Sequence, residues 1–143
     1  MEALDLRPPA DWAAKLVGAP NVAGGEDPAG WDCWGLTRWV CESIFGWNLP
    51  VFPCDDDRQA ATTDAEFRRG LFARGVAGYW RPLDTTRPRQ PAAVLMTRGR
   101  NAPHCGVTDG RGYLLHVTGP SGTVYVPLDH PRVPKVMGFY VPR

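Results

Sequence analysis

From residue 92 to residue 141 the chain alternates five short β-prone runs with clusters of Gly, Pro, Asp and Asn, and this rhythm constrains the fold more than any other feature. The runs are 92–97, 104–108, 113–117, 123–128 and 136–141. The gaps between them are too short for helical crossovers, so the strands must pair as antiparallel neighbours. The preceding half reads differently. Asp11 can cap a short helix through Trp12, Ala13, Leu16 and Val17 that stops at Gly18, residues 19–30 form a Gly- and Pro-rich loop, and a second helix runs over 33–45. A third starts at Thr63, where Thr63-Asp64-Ala65-Glu66 has the capping-box pattern and Phe67 and Leu71 share a face before Gly75. Residues 79–91 contain three prolines and few core candidates, which predicts an ordered surface connector. Helices followed by a meander give an α+β domain with the 33–45 helix on one sheet face. With 143 residues, 43% of them hydrophobic, the chain can fill one core and is too short for two ordinary domains, so residues 1–143 are expected to form a single domain.

Several function classes drop out on charge and composition. The net charge is +1, from 16 basic and 15 acidic residues that are interspersed, so no surface footprint for a phosphate backbone is expected and nucleic acid is not a predicted partner. The start, Met1 to Pro9, lacks a basic stretch followed by an apolar core, and no later run approaches the ~18 apolar residues of a membrane span. A soluble product of the cytoplasm, without membrane insertion, is the expectation. The four cysteines, Cys33, Cys41, Cys54 and Cys105, include no C-x2-C pair, which argues against structural zinc and for free thiols.

Cys33 carries the chemistry. Asp32 is a good N-cap, and Leu36, Val40 and Ile44 follow Cys33 at 3, 7 and 11 residues, so the thiol lies at a helix start on the inward face. Helix-start N–H groups and the helix dipole favour a thiolate, the neighbouring Asp32 carboxylate opposes it, and an imidazolium partner is therefore required. His104 and His116 are the candidates. They share a sheet face only if the connection between their strands holds an odd number of residues. A three-residue loop of Asp109, Gly110 and Arg111, closed by Thr108 and Gly112, sets His104 opposite His116, with Gly110 or Gly112 left-handed. Cys105 alternates with His104 and is expected to face away as core filler, as are Cys41 and Cys54. His130 reads as a solvated loop residue, and Asp55-Asp56-Asp57 as an exposed turn or helix cap. Trp31, Trp34, Trp39, Trp47 and Trp80 offer material for a binding wall, with core packing the safer reading for Trp39 and Trp47.

Asp32-Cys33-Trp34-Gly35-Leu36 and His104-Cys105-Gly106-Val107 resemble the two motifs of the NlpC/P60 family of cysteine peptidases, and His116 matches the family's third polar residue. The resemblance runs over about residues 12 to 141. The Trp after the cysteine, and the long insertion before the histidine strand, resemble the versions found in tail-tip proteins of phages and phage-like particles. The resemblance implies a papain-like NlpC/P60 fold in which Cys33 attacks, His104 is the base and His116 orients it. It also implies a substrate, the D-γ-glutamyl-diamino acid bond of peptidoglycan stem peptides, and no cofactor. In the family a tyrosine of the loop before the cysteine polarises the scissile carbonyl; here Asn21, in Gly18-Ala19-Pro20-Asn21, takes that slot and an amide takes over the donor role. Pro91-Ala92 replaces the usual Gly-Asp before the first core strand, and Trp34 replaces a smaller residue, where it can wall the groove. Asn21, Asp32 and Trp34 are thus the oxyanion and substrate-binding candidates. The resemblance implies a tail-tip peptidase made in the host cytoplasm and carried in the virion tail, with other tail-tip or hub proteins as partners. The alternatives are a structural tail-tip or hub subunit whose catalysis is weak or lost, and a bacterial amidase or acyltransferase using the same thiol chemistry.

Overall fold

The computed structural model describes residues 8–49, 79–98 and 102–143, with Ala102 and Pro103 described by their backbone alone. The helix expected from Thr63, Cys54 and the run Asp55-Asp56-Asp57 lie outside the described residues.

Helix α1 (Cys33–Ser43) begins where Asp32, in extended conformation, accepts a hydrogen bond from Gly35 N–H at 2.7 Å through Oδ1. That satisfies one of the four amides that a helix start leaves without intrahelical acceptors. Leu36 and Val40 are fully buried, whereas Ile44, the third residue of the expected stripe, is the half-buried C-cap. Ahead of α1, residues expected to be loop form a small hairpin of β1 (Glu26–Asp27) and β2 (Gly30–Trp31). Trp31 is completely buried and its Nε1 donates to Thr123 Oγ1 at 2.7 Å, which ties the approach to Cys33 to the far side of the chain. Residues 10–18 depart from expectation. They form successive turns rather than an α-helix, with Ala14 N–H to Asp11 O and Leu16 N–H to Ala13 O as three-residue bonds. The stretch is short, and Gly18 N–H leaves it for Thr123 O at 2.8 Å, so tertiary anchoring replaces helical continuation.

The sheet has six strands, β3 (Trp80–Pro82), β4 (Ala92–Arg98), β5 (Ala102–Thr108), β6 (Tyr113–Thr118), β7 (Gly122–Pro127) and β8 (Lys135–Pro142), in the order β3-β8-β4-β5-β6-β7. All its pairings are antiparallel. The five expected strands are β4 to β8. β3 corrects the reading of residues 79–91 as a mere connector, because Trp80 is buried and its strand pairs with the end of β8. Helix α1 covers the face carrying Val107, Leu115 and Val117, and a second cluster of Val94, Met96, Leu114, Phe139 and Val141 lies on the other face. No helix among the described residues is long and apolar enough to cross a membrane.

The connection between β5 and β6 holds an odd number of residues but is wider than expected. The last pair is Thr108 with Leu114, so His116 stands across from Gly106 and not from His104. Both Gly110 and Gly112 adopt φ near +87°, and Asp109 turns inward to accept from Trp12 Nε1 at 2.9 Å and from the Tyr125 hydroxyl. That inward carboxylate consumes the turn residues which a three-residue loop would have kept outside.

Candidate active site

Cys33 is the first residue of α1 and its thiol is half-buried. The thiol is held well below its ordinary range, first by a hydrogen bond from Cys105 and then by the hydrogen bond and charge of His104, with burial working the other way. Pairing between β5 and β6 stops at Val107–Leu115, whereas β5 stays paired with β4 as far as Ala102. Cys105 shares with Val107 the face of β5 that α1 covers, where its Sγ meets Cys33 and Thr37 of the helix, and both Cys105 and His104 act on the Cys33 thiol.

Behind His104 stands the second imidazole. His104 Nε2 and His116 Nδ1 are 2.9 Å apart, and both residues are buried. Burial, followed by the charges of His104 and Arg98, pushes His116 down to about 4, so its ring is neutral at neutral pH. The direction of this bond follows the tautomer: with His116 protonated on Nε2, its Nδ1 accepts from His104 Nε2–H. In that arrangement His104 has a lone pair on Nδ1, the nitrogen free to take a thiol proton. Arg98 Nη2 lies 3.3 Å from His104 Nε2 and 3.5 Å from the Val117 carbonyl. A guanidinium only donates, so with Nε2–H given to His116 its acceptor is Val117 O.

The register explains the glycine of the His-x-Gly motif. A Cβ on Gly106 would come within 2.6 Å of Leu115 O and 2.9 Å of His116 Cβ, so only glycine lets the second histidine close on the first.

No family model matches the chain. Protein P54 of Enterococcus faecium is 46% identical over 43 residues, a match covering 27% of this chain and 8% of that protein's length. The crystal structure of the NlpC/p60 domain of the peptidoglycan hydrolase SagA superposes with a TM-score of 0.50 and 22% identity, over 90% of this chain and 91% of that one. The chain has the NlpC/p60 fold.

Within this NlpC/p60 fold the other expected site residues separate. Asp32 is buried, with Oδ1 on Gly35 N–H and Oδ2 on Gly24 N–H at 3.1 Å. This carboxylate holds the helix start and the preceding loop together. Asn21 is exposed and its backbone bridges to Trp31, two residues ahead of Cys33. Trp34 is half-buried against the main core, as are Trp39 and Trp47, while Trp31 and Trp80 belong to that core outright. His130 is half-buried in a turn, where its Nδ1 accepts from Arg132 N–H at 3.1 Å. It joins His116, Arg98, Arg132 and Lys135 around a basic cavity of about 730 Å³. Among the described cysteines Cys33, Cys41 and Cys105 are free thiols. Sequence reasoning missed Cys105, Thr37 and Arg98. The structure corrects the expectation that Cys105 faces away, because it shares with Val107 the strand face that α1 covers, while no motif marks Thr37 or Arg98.

Proposed function

We propose that this chain is a cysteine peptidase that cleaves peptidoglycan stem peptides at the D-γ-glutamyl-diamino acid bond. The observation that carries the reading is the line from Cys33 through His104 to a neutral His116. His104 Nδ1 takes the thiol proton, and Cys33 Sγ attacks the amide carbonyl. The oxyanion is held by Cys33 N–H, which as the first helical amide has no intrahelical acceptor, with Asn21 as second donor. His104 returns the proton to the leaving amine, water resolves the thioester, and His116 keeps the His104 ring in place. The NlpC/p60 fold shared with a domain of a peptidoglycan hydrolase supports the substrate class. The basic cavity beside His116 suits the carboxylates of a stem peptide.

The setting we propose is the tail tip of a phage or phage-like particle, on the strength of Trp34 following the cysteine. There the peptidase opens the wall during penetration and contacts other tail-tip or hub proteins. The alternative of an assembly subunit with weakened catalysis is favoured by Asn21, whose exposed side chain stands where the resemblance calls for tyrosine. Purified protein incubated with muropeptides is expected to release cleaved stems, and its Cys33→Ala form to release none. Equal inactivity of both favours the assembly role.

A further inference from the structure

Cys105 has no role in the mechanism above, yet it sits against the nucleophile. Its Sγ is 3.3 Å from the Cys33 carbonyl oxygen and 3.2 Å from Thr37 Oγ1. Thr37 in turn donates to the same carbonyl at 2.8 Å, the back-bond to the residue four positions earlier. Thr37 is buried and Cys105 is 3% exposed, so neither group exchanges these partners for water. A core-filling thiol would need none of this. Cys41, on α1 and equally buried, is also pushed well above its ordinary range, but by burial and the charge of Glu42, with no side-chain hydrogen bond contributing.

We propose that Cys105 is a positioning residue for the nucleophile: its S–H, given to the Cys33 carbonyl oxygen while Cys33 is a thiol, turns to donate to Cys33 Sγ when that sulfur carries the negative charge, the Thr37 hydroxyl remaining on the carbonyl. The two thiols are driven apart in the direction this needs. Cys105 is raised well above the ordinary range by burial, and next by its hydrogen bond to Cys33, so it keeps its proton where Cys33 has lost its own. Environments that split a pair of like groups assign donor and acceptor. A charge-assisted bond into a sulfur that burial would otherwise keep neutral then supplements the His104 imidazolium. The proposal rests on Cys33 being the nucleophile, and its test needs no substrate.

The experiment is iodoacetamide labelling of the full chain as a function of pH, with each cysteine followed by peptide mass spectrometry. Wild type is expected to label Cys33 with a midpoint below that of a free thiol, and Cys41 slowly throughout. Cys105→Ala is expected to raise the Cys33 midpoint by about one pH unit, a tenfold smaller thiolate fraction at pH values below both midpoints. Cys105→Ser, which keeps a donor, is expected to restore most of that shift. Thr37→Val is expected to move the midpoint the same way by a smaller amount, and carries the test with the serine variant if the alanine variant does not fold. An unchanged Cys33 midpoint in folded Cys105→Ala, or in Thr37→Val where alanine fails, overturns the proposal, as does a Cys105→Ser midpoint raised as far as that of Cys105→Ala. The two readings fail separately. Muropeptide cleavage with an unmoved midpoint leaves the peptidase standing and removes Cys105, whereas a moved midpoint without cleavage does the reverse.

Discussion

His104 and His116 share one hydrogen bond, and the missing side chain of Gly106 leaves room for His116 to reach it. His116 works as an orienting group because it is neutral, and removing it frees His104 to adopt either tautomer. His116→Ala is expected to lower kcat on muropeptides by about 10² to 10⁴, within the range for losing one acid–base contribution, with a small change in KM. Gly106 is the other half of that arrangement. A methyl there would meet Leu115 O at 2.6 Å, and overpacking of this kind costs about 1–3 kcal/mol. Gly106→Ala is therefore expected to lower the urea midpoint and, by pushing His116 away, to lose activity beyond the loss in stability. The motif residues Cys33, His104 and His116 were legible in the chain because motif and strand parity both mark them. Cys105 was not, because the face of β5 that α1 covers is set by tertiary packing, and it is the face Cys105 shares with Val107.

Elements show the same division between local and distant causes. Helix α1 and strands β4 to β8 follow from hydrophobic period and turn residues, which act over a few positions. The wide β5–β6 turn and edge strand β3 do not, since the first is set by Asp109 reaching Trp12 and Tyr125, and the second by pairing with the end of β8. Likewise the expected helix over Trp12 to Val17 gives way to turns because its end is anchored to Thr123. Asp109 is the joint between these pieces. Burial, and after it the bond to Asp109, pushes the Tyr125 phenol well up, so it keeps its proton and donates to Asp109. Asp109→Ala strands the buried Trp12 indole N–H and the Tyr125 hydroxyl, at about 1–3 kcal/mol for each unsatisfied group. Chemical denaturation of that variant is expected to show the loss, while Tyr125→Phe, which removes one donor with its bond, is expected to lose less.

For the whole molecule the buried histidine pair makes stability depend on pH. His116 stands at about 4 in the folded chain against an ordinary value near 6.5, so protonation favours unfolding. Its contribution is complete above about pH 6.5 and falls as the pH drops towards 4, by a total of about 3 kcal/mol. Urea midpoints at pH 7.5 and 4.5 are expected to differ accordingly, and the part due to His116 is expected to vanish in His116→Ala. The same neutrality is what the proposed peptidase requires, since a charged His116 could not accept from His104. Long-range proton–nitrogen NMR of the imidazoles measures it directly. The account predicts His116 as the Nε2–H tautomer, uncharged down to about pH 4, with its Nδ1 accepting from His104. A His116 that titrates near 6.5, or that carries its proton on Nδ1, would contradict it.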